Sequence, residues 1–222
     1  MSNLLNRLQA KGSGPGSRSS FAASNAIVGT GIDSKAAATS YSATAALMNV
    51  FNTESVASPT GIEPISIWIN SITLTSTQAN SNASNLRFVG ILDAPNATRW
   101  SSGGVALTNV ERGRSNSSSY TERTAKGEIY FGELTLGAET DANKIFDIPV
   151  SNDVIASGDI IEVNFGDGNP RSKANGFITL SIPEFKILPG CNFSLHEVAA
   201  NQTNDSKFQI SVISYEWGHQ GT

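Results

Sequence analysis

Cysteine is almost missing from this chain: Cys191 stands alone among 222 residues, so no disulfide can close within it. Histidine occurs twice, as His196 and His219, too far apart and too dissimilar in setting to suggest a zinc site. Charged side chains make up only 15% of the residues, and Ser, Thr, Asn and Gly supply the polarity instead. Hydroxyls and amides cost less to bury than charges, so this composition suits a surface that packs against another surface, although a polar secreted domain would share it. No apolar run approaches the roughly 20 residues that span a bilayer. The opening MSNLLNRLQAKGSG has neither an apolar h-region nor a small-residue cleavage site, so secretion by a signal peptide is not expected. No phosphate-binding Gly-rich loop or dinucleotide fingerprint occurs, and no cofactor is expected.

What is present divides near residue 63. Residues 1–62 read as an N-terminal arm and bridging segment. Leu4, Leu5 and Leu8 fall at the spacing of a short amphipathic helical turn, and KGSGPGSRSS follows as a flexible linker. Arg7, Lys11 and Arg18 make this end basic, with no acid before residue 21. A basic arm on an acidic body fits contact with nucleic acid, an anionic membrane or an acidic neighbour; three charges also fit an ordinary solvated tail. Between Lys35 and Asn52 the positions of Tyr41, Ala45, Leu47, Met48 and Phe51 predict a helix that needs something to lie against.

From Glu63 onward the apolar period is two, which predicts strands. Ile65, Ile67 and Ile69 share one face, then the phase slips to Ile72 and Leu74, as one extra residue near Asn70–Ser71 would produce. Alternation continues in Phe146, Ile148 and Val150, in Ile161, Val163 and Phe165, in Ile178, Leu180 and Ile182, and in Phe208, Ile210 and Val212. Eight or nine strands without intervening helices exclude a parallel α/β sheet. The expected fold is all-β: an antiparallel β-sandwich of jelly-roll type over residues 63–222, with an immunoglobulin-like sandwich as the nearest competitor. The stretch Asn96–Lys126 reads as a long basic loop around one short strand. Arg99, Trp100, Arg112, Arg114, Arg123 and Lys126 are its candidate contact residues.

Catalytic patterns are weak. No Gly-x-Ser-x-Gly elbow accompanies the two histidines. The segment GEIYFGE resembles the Glu-hydrophobic-Asp-x-x-Glu strand of laminarinase-type retaining β-glucanases, which implies a nucleophile and an acid/base at Glu128 and Glu133. Here Tyr130 replaces the central Asp, and residues five apart on a regular strand face opposite sides. Asp159, Glu162 and Asp167 could supply oxygens to Ca²⁺, but carboxylates in such turns more often satisfy local backbone. No catalytic residue and no metal site is expected.

The layout as a whole, a short basic Gly/Ser-rich arm, an Ala/Ser/Thr-rich bridge and a sandwich of about 155 residues, resembles single jelly-roll viral capsid proteins. The resemblance implies a virion location, self-assembly into a shell through the jelly-roll domain, and an arm that contacts neighbours, other virion proteins or the particle interior. Three basic residues neutralise little genome, so weak or no nucleic-acid contact is implied, and Leu4, Leu5 and Leu8 would grip a neighbouring copy. A phage tail or appendage component and a carbohydrate-binding or adhesin sandwich remain as alternatives. For glycan binding, Trp100 is the expected loop aromatic, while Trp68 and Trp217 are expected to pack in the core.

Overall fold

The computed structural model describes residues 19–25, 30–34, 40–56, 64–78, 84–112, 124–151, 155–166, 172–174, 177–200 and 206–217. Thirteen strands account for most of them: β1 (Ser19–Ser24), β2 (Ile32–Asp33), β3 (Ala45–Asn52), β4 (Ser66–Gln78), β5 (Ser84–Asp93), β6 (Trp100–Glu111), β7 (Gly127–Leu136), β8 (Asn143–Ser151), β9 (Ile160–Phe165), β10 (Ser172–Ala174), β11 (Phe177–Ile182), β12 (Asn192–Ala200) and β13 (Lys207–Trp217). The described residues contain no helix, and hence none long and apolar enough to cross a membrane. The all-β expectation holds, while the expected count of about eight strands is too low.

The strands form one hydrogen-bonded path, β10-β11-β9-β4-β13-β1-β6-β7-β3-β12-β5-β8, with β2 added beside β13. Pairing is antiparallel throughout except for the parallel pair β9–β11. Strands β11 and β8, near the two ends of the path, approach each other, so the sheet nearly closes into a barrel. One apolar core lies inside. Phe146 of β8, Phe165 of β9, Phe185 and Phe193 of β12 interlock there with ring centroids 4.9–6.3 Å apart. Each large apolar side chain sealed in this way contributes about 1.5–3 kcal/mol relative to exposure.

Strand β4 shows how local sequence sets the register. Ile67 and Ile69 face the core, as do Ile72 and Leu74, and the two sets differ in phase. Opposite them, Ser214 pairs with Ile69 while Ile213 pairs with Ser71, so Asn70 is the extra residue of a β-bulge. The phase slip in the sequence has its predicted cause.

Strand β6 joins the two halves of the path, pairing with β7 along its first part and with β1 along its last. Register shifts flank Gly103 and Gly104, whose φ angles are +81° and +62°. A Cβ on Gly104 would lie 2.6 Å from the Phe131 carbonyl oxygen, so only glycine fits this corner.

Two expectations need correction. The helix predicted over Lys35–Asn52 is instead strand β3 in its described C-terminal part. β3 lies between β7 and β12, and Leu47, Met48, Asn49 and Val50 are all buried. A strand covered on both faces loses alternation and reads as a continuous apolar run, which periodicity alone cannot separate from a helix. The long loop expected between Asn96 and Lys126 is, over Trp100–Glu111, a twelve-residue strand. Its serines and glycines build a bulged, mostly exposed strand rather than a loop. β1, β2 and β3 precede residue 63, and their partners β6, β7, β12 and β13 all follow it.

Candidate functional site

The strongest concentration of polar chemistry lies on the outer side of β3, β5 and β12, under the segments 40–44, 94–99 and 137–142. Alternation on β12 turns Phe193 and Leu195 inward and sends Asn192, Ser194 and His196 outward, yet all three polar residues are buried. Arg99 covers them. Its Nη2 donates to the carbonyls of Ala43 at 2.6 Å and Gly137 at 3.1 Å, and its Nη1 donates to Ser194 Oγ at 3.5 Å. Its Nε lies 3.3 Å from Asp93 Oδ2 as an ion pair without hydrogen-bond geometry. Asp93 in turn accepts from the backbone N–H groups of Ala94, Thr140 and Asp141 at 2.7–3.2 Å. Asn192 accepts from the Arg99 N–H at 3.0 Å and donates to the Ala97 carbonyl at 2.8 Å. The cluster therefore ties three connecting segments to one sheet face, and its buried charges are compensated on the spot.

Ser194 and His196 meet at 2.9 Å between Oγ and Nε2, which is the contact a serine nucleophile would need. The rest of the set differs. His196 Nδ1 lies 2.7 Å from the Ala45 carbonyl, an acceptor only, so Nδ1 carries the proton and Nε2 accepts from the Ser194 hydroxyl. A carbonyl rather than a carboxylate orients the ring. Burial, together with the Arg99 guanidinium, pushes the His196 pKa down to about 4, so the imidazole is neutral near pH 7. Ser194 and His196 are each 1% exposed, which leaves no approach for a substrate carbonyl. The pair is a buried hydrogen-bond relay.

At the rim the cluster opens into a shallow pocket of about 230 Å³, floored by Val89 and Ile91 and edged by Tyr41, Glu139, Lys144 and Asp147. The Tyr41 hydroxyl donates to Glu139, and its ring meets His196 edge-on at 4.9 Å. Burial, then the Glu139 carboxylate, raises the Tyr41 pKa well above the ordinary phenol value, keeping it a neutral donor. Lys144 and Arg87 both pair with Asp147, lowering its pKa against the opposing effect of burial. The polar groups at this rim thus pair with one another.

The expected contact residues that are described have different settings. Arg99 is buried in the cluster above, because its guanidinium is the group that satisfies the carbonyls of two covering segments. Trp100 is half-buried, stacked on Tyr130 at 4.1 Å and donating from Nε1 to the Gly103 carbonyl. The Lys126 ammonium pairs with Glu54 at 3.2 Å, and its backbone N–H donates to Glu216. Arg112 is exposed at the end of β6. Arg114 and Arg123 lie outside the described residues, as do the arm residues Leu4, Leu5, Arg7, Leu8, Lys11 and Arg18. Glu128 and Glu133 are exposed on β7, on either side of Gly132. Asp159 accepts from the Ala156 N–H at 2.8 Å, which is turn chemistry, and Asp167 lies outside the described residues. Among the described residues no three His, Cys, Asp or Glu side chains gather as a metal site would require.

Trp68 and Trp217 overturn their expected core role. Both stand on the outer face of β4 and β13, with ring centroids 6.1 Å apart and Trp217 50% exposed. The inward positions beside them belong to Ile67, Ile69 and Glu216, and Tyr215 sits directly across from Trp68. Strict alternation in KFQISVISYEW carried this signal: once Phe208, Ile210 and Val212 face inward, Trp217 must face outward. Asn49, Asp93, Asn192, Ser194 and His196 gave no comparable signal, because a polar position on a strand ordinarily marks the solvent face.

No protein-family model, no curated protein and no solved structure matches the chain.

Proposed function

We propose that this chain is a structural subunit that self-assembles, of the kind that builds a virion shell, on a jelly-roll-type framework. The observation that carries the reading is a nested set of antiparallel pairs. β6 pairs with β7, β5 with β8, β4 with β9 and β3 with β12. One long hairpin wrapped on itself yields such nesting, and this wrap underlies the jelly roll that the chain's layout resembles. β1, β10, β11 and β13 extend it. The buried polar cluster supports the same reading, since it serves to hold connecting segments to the sheet. Under this reading the partners are further copies of the chain, and the segment before β1 reaches a neighbour or the particle interior. Electron microscopy and light scattering of the purified protein are expected to show closed shells or regular oligomers. A protein that stays monomeric at high concentration would contradict the proposal.

A further inference from the structure

We infer that the outer face of β1, β13 and β4, flanked by β9 and β11, is the surface on which a second copy of the chain docks, sheet face to sheet face. The inference rests on the self-assembly reading and names the surface it uses.

The face is apolar at one end and hydroxyl-rich elsewhere. Trp217, Trp68, Tyr215 and Ile213 occupy outward positions on β13 and β4, and Val110 of β6, paired with Ala22 of β1, lies 48% exposed at its margin. From Ser20 to Ser24 on β1, from Gln209 to Trp217 on β13 and from Trp68 to Thr77 on β4, no outward position carries a charged side chain. The nearest charges flank this stretch: exposed Arg112, whose backbone N–H donates to the Ser20 carbonyl at 2.7 Å, Glu162 of β9, across from Thr73, and Lys207, paired with Asp33 at 2.8 Å.

Charge and size both select a second copy as the occupant. A two-fold contact sets a face against itself, so any charge near the axis meets its own like. A face whose centre carries no charge avoids that repulsion there, and it gives a charged foreign partner no central counter-charge to pair with. Aromatics in place of charges are also the usual composition of an interface centre. Size agrees. At a rise of about 3.3 Å per residue and a strand spacing of about 4.8 Å, β1, β13, β4, β9 and β11 present roughly 650 Å². Two such faces bury roughly 1,300 Å², within the range of stable specific interfaces.

The test is sedimentation equilibrium of the full chain beside Ser211→Glu and Trp217→Ala. Ser211 is exposed midway along β13, so Ser211→Glu should keep the wild-type thermal midpoint while setting like charges against each other. Both variants are expected to weaken association about tenfold or more. Wild-type association that Ser211→Glu leaves unchanged overturns this surface and leaves the self-assembly reading standing. A wild-type chain that never associates overturns both. Retention of a monomeric chain on a neutral polysaccharide, lost in Trp217→Ala, would assign the face to a sugar and overturn the inference as well.

Discussion

The Arg99 guanidinium lies 3.3 Å from the Asp93 carboxylate, with both side chains 1% exposed. Neither charge could stay there alone. Arg99→Ala strips Asp93 of its counter-ion and frees the carbonyls of Ala43 and Gly137, so a stability loss of about 3–5 kcal/mol is expected in urea titrations. A loss below about 1 kcal/mol would show that the covering segments are held by something else.

His196 should make the fold acid-sensitive in a defined window. Its pKa falls from 6.5 to about 4 on folding, so between those values the unfolded chain binds a proton that the folded chain does not. Stability from this residue is therefore full above pH 6.5 and declines toward pH 4, by about 3 kcal/mol. Denaturation midpoints measured from pH 7 to pH 4 should fall more steeply for the wild type than for His196→Gln. Parallel curves would remove His196 as the cause.

Deleting Asn70 should be far more damaging than replacing it. Without the extra residue, either Ile67 and Ile69 or Ile72 and Leu74 must turn outward. Losing two such side chains from the core, at about 2–5 kcal/mol each, approaches the whole stability of a domain. Asn70→Ala should keep a cooperative thermal transition and the deletion should lose it; a cooperative transition in both would mean that the bulge can relocate.

Gly104→Ala tests the corner of β6. The new methyl would press on the Phe131 carbonyl at a φ of +62°, and a loss of more than about 1 kcal/mol is expected in thermal unfolding. Alanine at exposed Ser102, beside the same corner, should change the midpoint little.

The sequence made the half-buried strands legible, because Ile161, Val163 and Phe165 or Phe208, Ile210 and Val212 leave an unbroken period of two. It concealed strands whose second face is also covered. In β3, Leu47, Met48 and Val50 mimic a helix because Asn49 between them is buried under the segments that Arg99 fastens. Arg99 itself is concealed for the same reason. In sequence it is one of several arginines in a polar stretch, and only tertiary contacts with Asp93, Ala43 and Gly137 set it apart. The polar stripe of Asn192, Ser194 and His196 was visible, but that its solvent side would be roofed over depended on segments about 50 to 150 residues away in the chain.

Strand β1 lies between β6 and β13. Ser24 pairs with Thr108 on one side and with Ser211 on the other, so a chain synthesised from its amino end carries β1 unpaired until residue 108 exists, and paired on one side only until residue 211 does. Pairings this distant in sequence make folding slow, on the order of milliseconds to seconds, and leave open strand edges exposed in the interval. For a molecule of this topology the hazardous period is its birth, when the first strand waits for the last and a neighbouring nascent chain can supply the missing edge.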